Sequence, residues 1–104
     1  MLYQPDVSEK TVKLTSWAIY EVESEFLDST RHFVGIVSSG DGRVSSPIQS
    51  FDYENMSGIT RSGKEYVLIG YPGSSIDSSY VFSKWCVMNQ ITSVTDVTKE
   101  YIQP

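Results

Sequence analysis

Residues 11–23, TVKLTSWAIYEVE, constrain this chain more than any other stretch. Val12, Leu14, Ala18, Tyr20 and Val22 fall on one set of alternate positions, with Trp17 and Ile19 on the other. Successive side chains of an extended chain point to opposite faces, so period two over this length predicts a long β-strand with one face on a core. A lone strand cannot hold itself extended in water, and the fold must therefore contain a sheet. The second face, with a Trp and an Ile, raises the question of what covers it.

The rest of the chain supplies partners. Residues 31–38, RHFVGIVS, form a continuous apolar run, the pattern of a strand covered on both faces. Gly40, Asp41 and Gly42 make a turn before residues 43–51, RVSSPIQSF, which read as a third strand. Pro47 lacks an N–H and puts that strand at an edge or a bulge. ITR (59–61) and KEYVLIG (64–70) flank Ser62 and Gly63, a two-residue link of the kind that closes hairpins. The period then changes: Val81, Trp85 and Met88 recur at i, i+4 and i+7, widened by Tyr80 and Val87, and predict an amphipathic helix over about 77–89. Ser74, followed three residues later by Asp77, resembles a capping pair at its start. ITSVTDV (91–97) is β-branched and reads as a last strand, while TKEYIQP (98–104) adds a short helical turn or frays. Residues 1–10 are polar, hold Pro5 and read as a flexible N-terminal arm. The expected class is α+β: a mainly antiparallel sheet of five to six strands with the helix packed on one face, in a single domain over 11–104.

Composition narrows the partners. Eight Lys and Arg stand against thirteen Asp and Glu, for a net charge of -5. Nucleic-acid binding rests on cations that displace counterions from phosphates, so no nucleic acid is expected, while a basic protein would be attracted. Cys86 is the only cysteine, which excludes an intramolecular disulfide and any Cys-based metal cluster within one chain. Among apolar neighbours on the helix it reads as a small hydrophobe. No basic-then-apolar leader opens the sequence and no apolar run reaches the ~20 residues of a membrane helix, so a cytoplasmic protein is expected, with no membrane partner. No metal site and no cofactor are expected either.

Several motifs invite chemistry. Residues 58–65, GITRSGKE, spell most of a phosphate-binding loop, but Glu65 stands where Ser or Thr must hold magnesium, and a strand follows where a helix is required. They read as a hairpin tip. GYPGSS (70–75) has better context, since it leaves a strand and enters the helix; Gly73, Ser74 and Ser75 there would hold a small anion or simply cap the helix. His32, the sole histidine, serves as a general base with Asp28 or Asp52, or as a hydrogen-bonded structural group. Arg31, Arg43, Arg61 and Lys64 lie near strand ends, where they converge on a carboxylate or phosphate or pair with Asp28, Asp41, Asp52 and Glu65. Trp17 and Ile19, if the helix does not cover their face, make an exposed apolar patch of the sort that marks a subunit interface.

STRHFVGIV, GRVSSPI, TRSGKEYVLIGYPG and YVFSKW, spread over roughly residues 15–90, together resemble a family of uncharacterised small bacterial proteins of mobile gene pools: integron gene cassettes, plasmids and prophages. The resemblance implies a bacterial cytosolic setting and a tendency to self-associate, and it carries no activity and no site residue.

Three functional readings follow. The first is a non-enzymatic small-molecule-binding or interaction module, a homo-oligomer and most simply a dimer. Its pocket would lie near the sheet–helix junction, with Tyr71, Tyr80 and Trp85 as walls, His32 nearby and Arg31 or Arg61 as polar anchor. The second is an acidic inhibitor or immunity-type protein that caps a basic toxin or nuclease. The third is a small hydrolase using His32.

Overall fold

The long strand predicted at the start of the domain is the axis of the molecule. The computed structural model describes residues 10–26 and 28–102, so most of the expected arm over 1–10 lies outside the described residues. In chain order the elements are β1 (Thr11–Ser24), β2 (Thr30–Ile36), β3 (Gly42–Val44), β4 (Ile48–Asp52), β5 (Ser57–Thr60), β6 (Glu65–Leu68), α1 (Ile76–Met88) and β7 (Ile91–Asp96), followed by a 3-10 turn at Thr98–Tyr101. The class is α+β, as expected: among the described residues one α-helix packs on a mainly antiparallel sheet. The exception is β6, which lies parallel to the first residues of β1.

Seven strands replace the expected five to six because Pro47 breaks the third strand in two. β3 pairs with β2 and β4 pairs with β5, so the halves sit at opposite ends of the order β3-β2-β1-β6-β5-β4. Only Ser45, Ser46 and Pro47 join those ends, a span of about 14 Å at full stretch, so the sheet must curl until its two ends meet. The link is itself hydrogen-bonded to both sides: Ser45 N–H donates to the Phe33 carbonyl, and Arg61 N–H to the Pro47 carbonyl, both within 2.9 Å. Proline keeps its acceptor, which is the only group this seam asks of it.

Phe33 fills the inside of the curl. Its ring lies 5.5 Å from that of Tyr66 and 6.1 Å from that of Phe51. Opposite it stands Gly58, where a Cβ would come within 2.6 Å of the Phe33 ring. The first glycine of GITRSGKE is thus a packing requirement. The remainder of that stretch is the expected hairpin tip, although the link runs over four residues, Arg61 to Lys64, closed by Thr60 N–H to the Lys64 carbonyl at 3.0 Å.

One residue corrects the reading of β1. Pairing with β2 slips by a residue between Thr15 and Ala18, and Ser16 sits there at φ 46°, in the left-handed region. A bulge of this kind inserts one unpaired residue and reverses which positions face inward. Val12 and Leu14 before it and Trp17 and Ile19 after it therefore share one core, together with Phe33, Tyr66, Leu68, Val97 and Tyr101. Trp17 and Ile19 are 1% and 0% exposed, so the apolar interface patch expected of them does not exist on this surface.

Ala18, Tyr20 and Val22 face the other way, toward the layer that contains α1. That helix is capped by Ser75, whose hydroxyl accepts from Ser78 N–H while the Ser78 hydroxyl accepts from Ser75 N–H. The capping pair is thus one residue later than Ser74 and Asp77. The helix turns Ser78, Val81, Phe82 and Trp85 inward: Phe82 stacks on Tyr20 at 4.6 Å, and Trp85 tilts against His32 at 4.7 Å. Its start lies so close to β3 that a Cβ on Gly42 would meet the Asp77 and Ser78 backbone at 2.9 Å. Tyr80, Val87 and Met88, expected on the packed stripe, are exposed. The inner stripe is set by Phe82 and Trp85, which the short sheet beneath the helix has room to cover.

Candidate functional site

β2 sorts its side chains by alternation. Phe33 enters the curled core, while Thr30, His32 and Val34 stand opposite Val22, Tyr20 and Ala18 of β1 on the helix side. His32 is buried. Its Nδ1 lies 2.8 Å from the Ser45 carbonyl, which can only accept, so Nδ1 carries the proton. Nε2 is then the acceptor for the Thr30 hydroxyl at 2.7 Å. Burial pulls the His32 pKa below its ordinary value, and the nearby Arg61 charge lowers it further, against a raising contribution from the Ser45 carbonyl. His32 is a neutral imidazole with both nitrogens engaged, and it braces the short link between β3 and β4.

Above this imidazole opens a cavity of about 480 Å³, within the range of small-ligand sites. Trp85 of α1 and Asn89, which caps its C-terminus, line it with Ile91 of β7, Val22 of β1, Val44 of β3, His32 and Thr30. Arg61 and Asp28 line it as well, and among the described residues neither side chain has a hydrogen-bond or ion-pair partner. The site thus has an apolar body, a polar bed of hydroxyls and one charge of each sign.

The structure brings together three of the six residues expected at a pocket: His32, Arg61 and Trp85. Arg31 points to the other side of the sheet. Its guanidinium donates to Glu21 and Glu100, each at 2.9 Å, and to the Tyr101 hydroxyl at 3.1 Å, with the Tyr101 ring beneath it. The bond to Tyr101, then that to Glu21, raises its already high pKa. Arg31 borders a second hollow of about 530 Å³ with Phe51, Tyr53 and Tyr101, and Arg61 stands on the rim of both. Asp28 is not its partner. Tyr71 is 92% exposed and Tyr80 is 60% exposed, and neither lines the His32 cavity.

At the helix start the expected anion cradle is already occupied by the chain. Gly73 N–H donates to the Trp17 carbonyl at 2.9 Å, and the Ser75 and Ser78 amides are held by the reciprocal cap. Ser74 lines two shallow hollows there and makes no cap. Cys86 is half-buried, and burial pushes its thiol pKa up, away from the reactive thiolate.

Sequence reasoning missed Val22, Val44, Asn89 and Ile91 as cavity residues. They come from four elements and no shared motif; only the alternation of Thr30 with His32 was available as a local signal. Among the described residues no cluster of three His, Cys, Asp or Glu is placed to hold a metal ion, and no helix is long and apolar enough to cross a membrane. No protein-family model matches the chain, and neither a curated protein nor a solved structure matches it.

Proposed function

We propose that this protein is a non-enzymatic binding module that takes a small molecule into the cavity over His32. The observation that carries this reading is the conjunction of an aromatic wall, Trp85, with an Arg61 guanidinium that has no ion-pair partner among the described residues. A planar cation of this kind recognises carboxylate or phosphate by paired N–H donors, and an indole face beside it accepts an apolar body. His32 is engaged at both nitrogens and has no carboxylate bonded to it, which argues for a structural part and against the hydrolase reading. The test is a fragment screen read by amide and indole shifts in two-dimensional NMR. Ligands are expected to move the Trp85 indole and the Arg61 resonances, and Trp85→Ala should abolish binding while the spectrum stays dispersed. A chemically diverse set that leaves Trp85 unmoved at millimolar concentration sinks the reading.

A second reading, self-association, is favoured by the outer face of α1. Ile76, Tyr80 and Val87 recur at i, i+4 and i+11 and are 88%, 60% and 77% exposed, with Met88 beside them. A helix that is apolar on both sides usually has something packed on each. Two copies meeting through this stripe about a two-fold axis would cover it with a self-complementary surface. Light scattering at micromolar concentration should return a dimer mass, and Tyr80→Glu with Val87→Glu should return a monomer; a monomer for the unmodified chain ends this reading.

A further inference from the structure

The cavity over His32 carries a second charge, and it decides more about the occupant than Arg61 does alone. Asp28 lies just before β2 and lines the same cavity as Arg61. No ion pair joins the two, and neither has another partner among the described residues. The contrast with the neighbouring hollow is direct. There the guanidinium of Arg31 is matched by Glu21 and Glu100 at 2.9 Å each, so that side of the sheet satisfies its own charges. In the His32 cavity two residues of opposite charge line one space with no ion pair between them.

The remaining lining completes the pattern. The same cavity is lined by the neutral His32, by Thr30 and by Trp85, Val44 and Ile91. A lone carboxylate ligand would satisfy Arg61 and bring a like charge near Asp28. A lone amine would do the reverse. A molecule with both groups on one centre matches both, and an apolar side chain on that centre matches the indole and the aliphatic wall.

We infer that the ligand of this cavity is a zwitterion of the free α-amino-acid class with an apolar or aromatic side chain, its carboxylate held by Arg61 and its ammonium by Asp28. This rests on the proposed binding role of the cavity and names the class of molecule for it. Both residues sit in solvent-accessible positions, so affinity is expected in the micromolar to millimolar range, each charge match contributing about tenfold.

The experiment titrates the full chain with three probes that differ in one group each: phenylalanine, 3-phenylpropionate and 2-phenylethylamine. The readout is the shift of the Trp85 indole resonance, with Trp17 as internal reference, since Trp17 is 1% exposed, does not line this cavity and has its indole N–H held by the Gly70 carbonyl. Phenylalanine is expected to bind about tenfold more tightly than either relative. Asp28→Asn should weaken phenylalanine about tenfold and leave 3-phenylpropionate unchanged or improved; Arg61→Gln should weaken phenylalanine and leave 2-phenylethylamine unchanged. Neither residue is in the core, so both variants should retain the dispersed spectrum. If 3-phenylpropionate binds as tightly as phenylalanine and Asp28→Asn alters neither, the amino-acid inference is overturned while the binding role stands. If none of the three probes moves Trp85 but a member of the fragment set does, the inference is again overturned and the binding role survives. If neither the probes nor the fragments move it, both fall.

Discussion

The two sides of the β1–β2 ribbon are built from neighbouring residues and are packed quite differently. On one side Trp17, Ile19 and Phe33 are at most 1% exposed, and the polar groups beside them are satisfied: the Trp17 indole donates to the Gly70 carbonyl at 3.1 Å, and Ile19 N–H donates to the Thr98 hydroxyl at 3.0 Å. On the other side Tyr20, His32, Phe82 and Trp85 also stack, but around hydroxyls and an imidazole, and they leave a cavity. The difference follows from what covers each side. The curled sheet and the 3-10 turn at Thr98–Tyr101 enclose the first, whereas the second is covered by the 13-residue helix α1. The first side holds the molecule together, and the second has room to bind.

The most severe test of that division is the bulge that creates it. Deleting Ser16 restores unbroken alternation and would send either Val12 and Leu14 or Trp17 and Ile19 out of the core. The chain is expected to lose its cooperative fold, seen as collapse of amide dispersion; a folded deletion variant would break the comparison. Next, Phe33→Ala should cost about 3–5 kcal/mol, the usual range for an enclosed aromatic. Trp85→Ala, on the half-buried helix side, should cost only about 1–2 kcal/mol. Urea melts of the two variants decide it, and equal losses would mean that the helix layer is as much a core as the curled sheet.

A subtler effect concerns pH. The folded His32 pKa is depressed by burial, so the unfolded chain binds the proton first as pH falls. His32's contribution is therefore complete above about 6.5, the unfolded value, and is lost as pH falls from there toward the lowered folded value. The urea midpoint should drop between pH 7.5 and 5.5, and His32→Asn, whose amide can still donate to the Ser45 carbonyl, should flatten that slope. The smallest effect is expected on the far side: Arg31→Met removes the ion pairs to Glu21 and Glu100, which are partly exposed, and should cost less than about 1 kcal/mol. A loss above 2 kcal/mol would show the Arg31–Tyr101 contact to be part of the core.

Much of the fold was legible. The helix, expected over 77–89, lies at Ile76–Met88, and the strand following Lys64 does turn GITRSGKE into a hairpin. Pro47 was read as placing one strand over 43–51 at an edge or a bulge, and its consequence was larger, since the chain divides there and crosses from one end of the sheet to the other. Of the site, His32, Arg61 and Trp85 were legible by residue type. Tyr80 misled because aromatic residues on a helix look alike whether they face the sheet or solvent when the stripe is apolar on both sides, and Tyr71 because it stands in the loop before the helix, where no period tells which way a side chain points.

What the sequence determined by itself was local: where the period is two, where it becomes 3.6, and where glycine and proline interrupt it. These follow from the geometry of a few consecutive residues and need no partner. Which face of β1 is inside was decided only in three dimensions, because a one-residue bulge at Ser16 reverses every later position without altering the pattern that announces a strand. The cavity was decided there too. Its walls come from β1, β2, β3, α1 and β7, and its charged residues, Asp28 and Arg61, stand 33 positions apart in the chain and line one cavity only because the sheet curls back on itself.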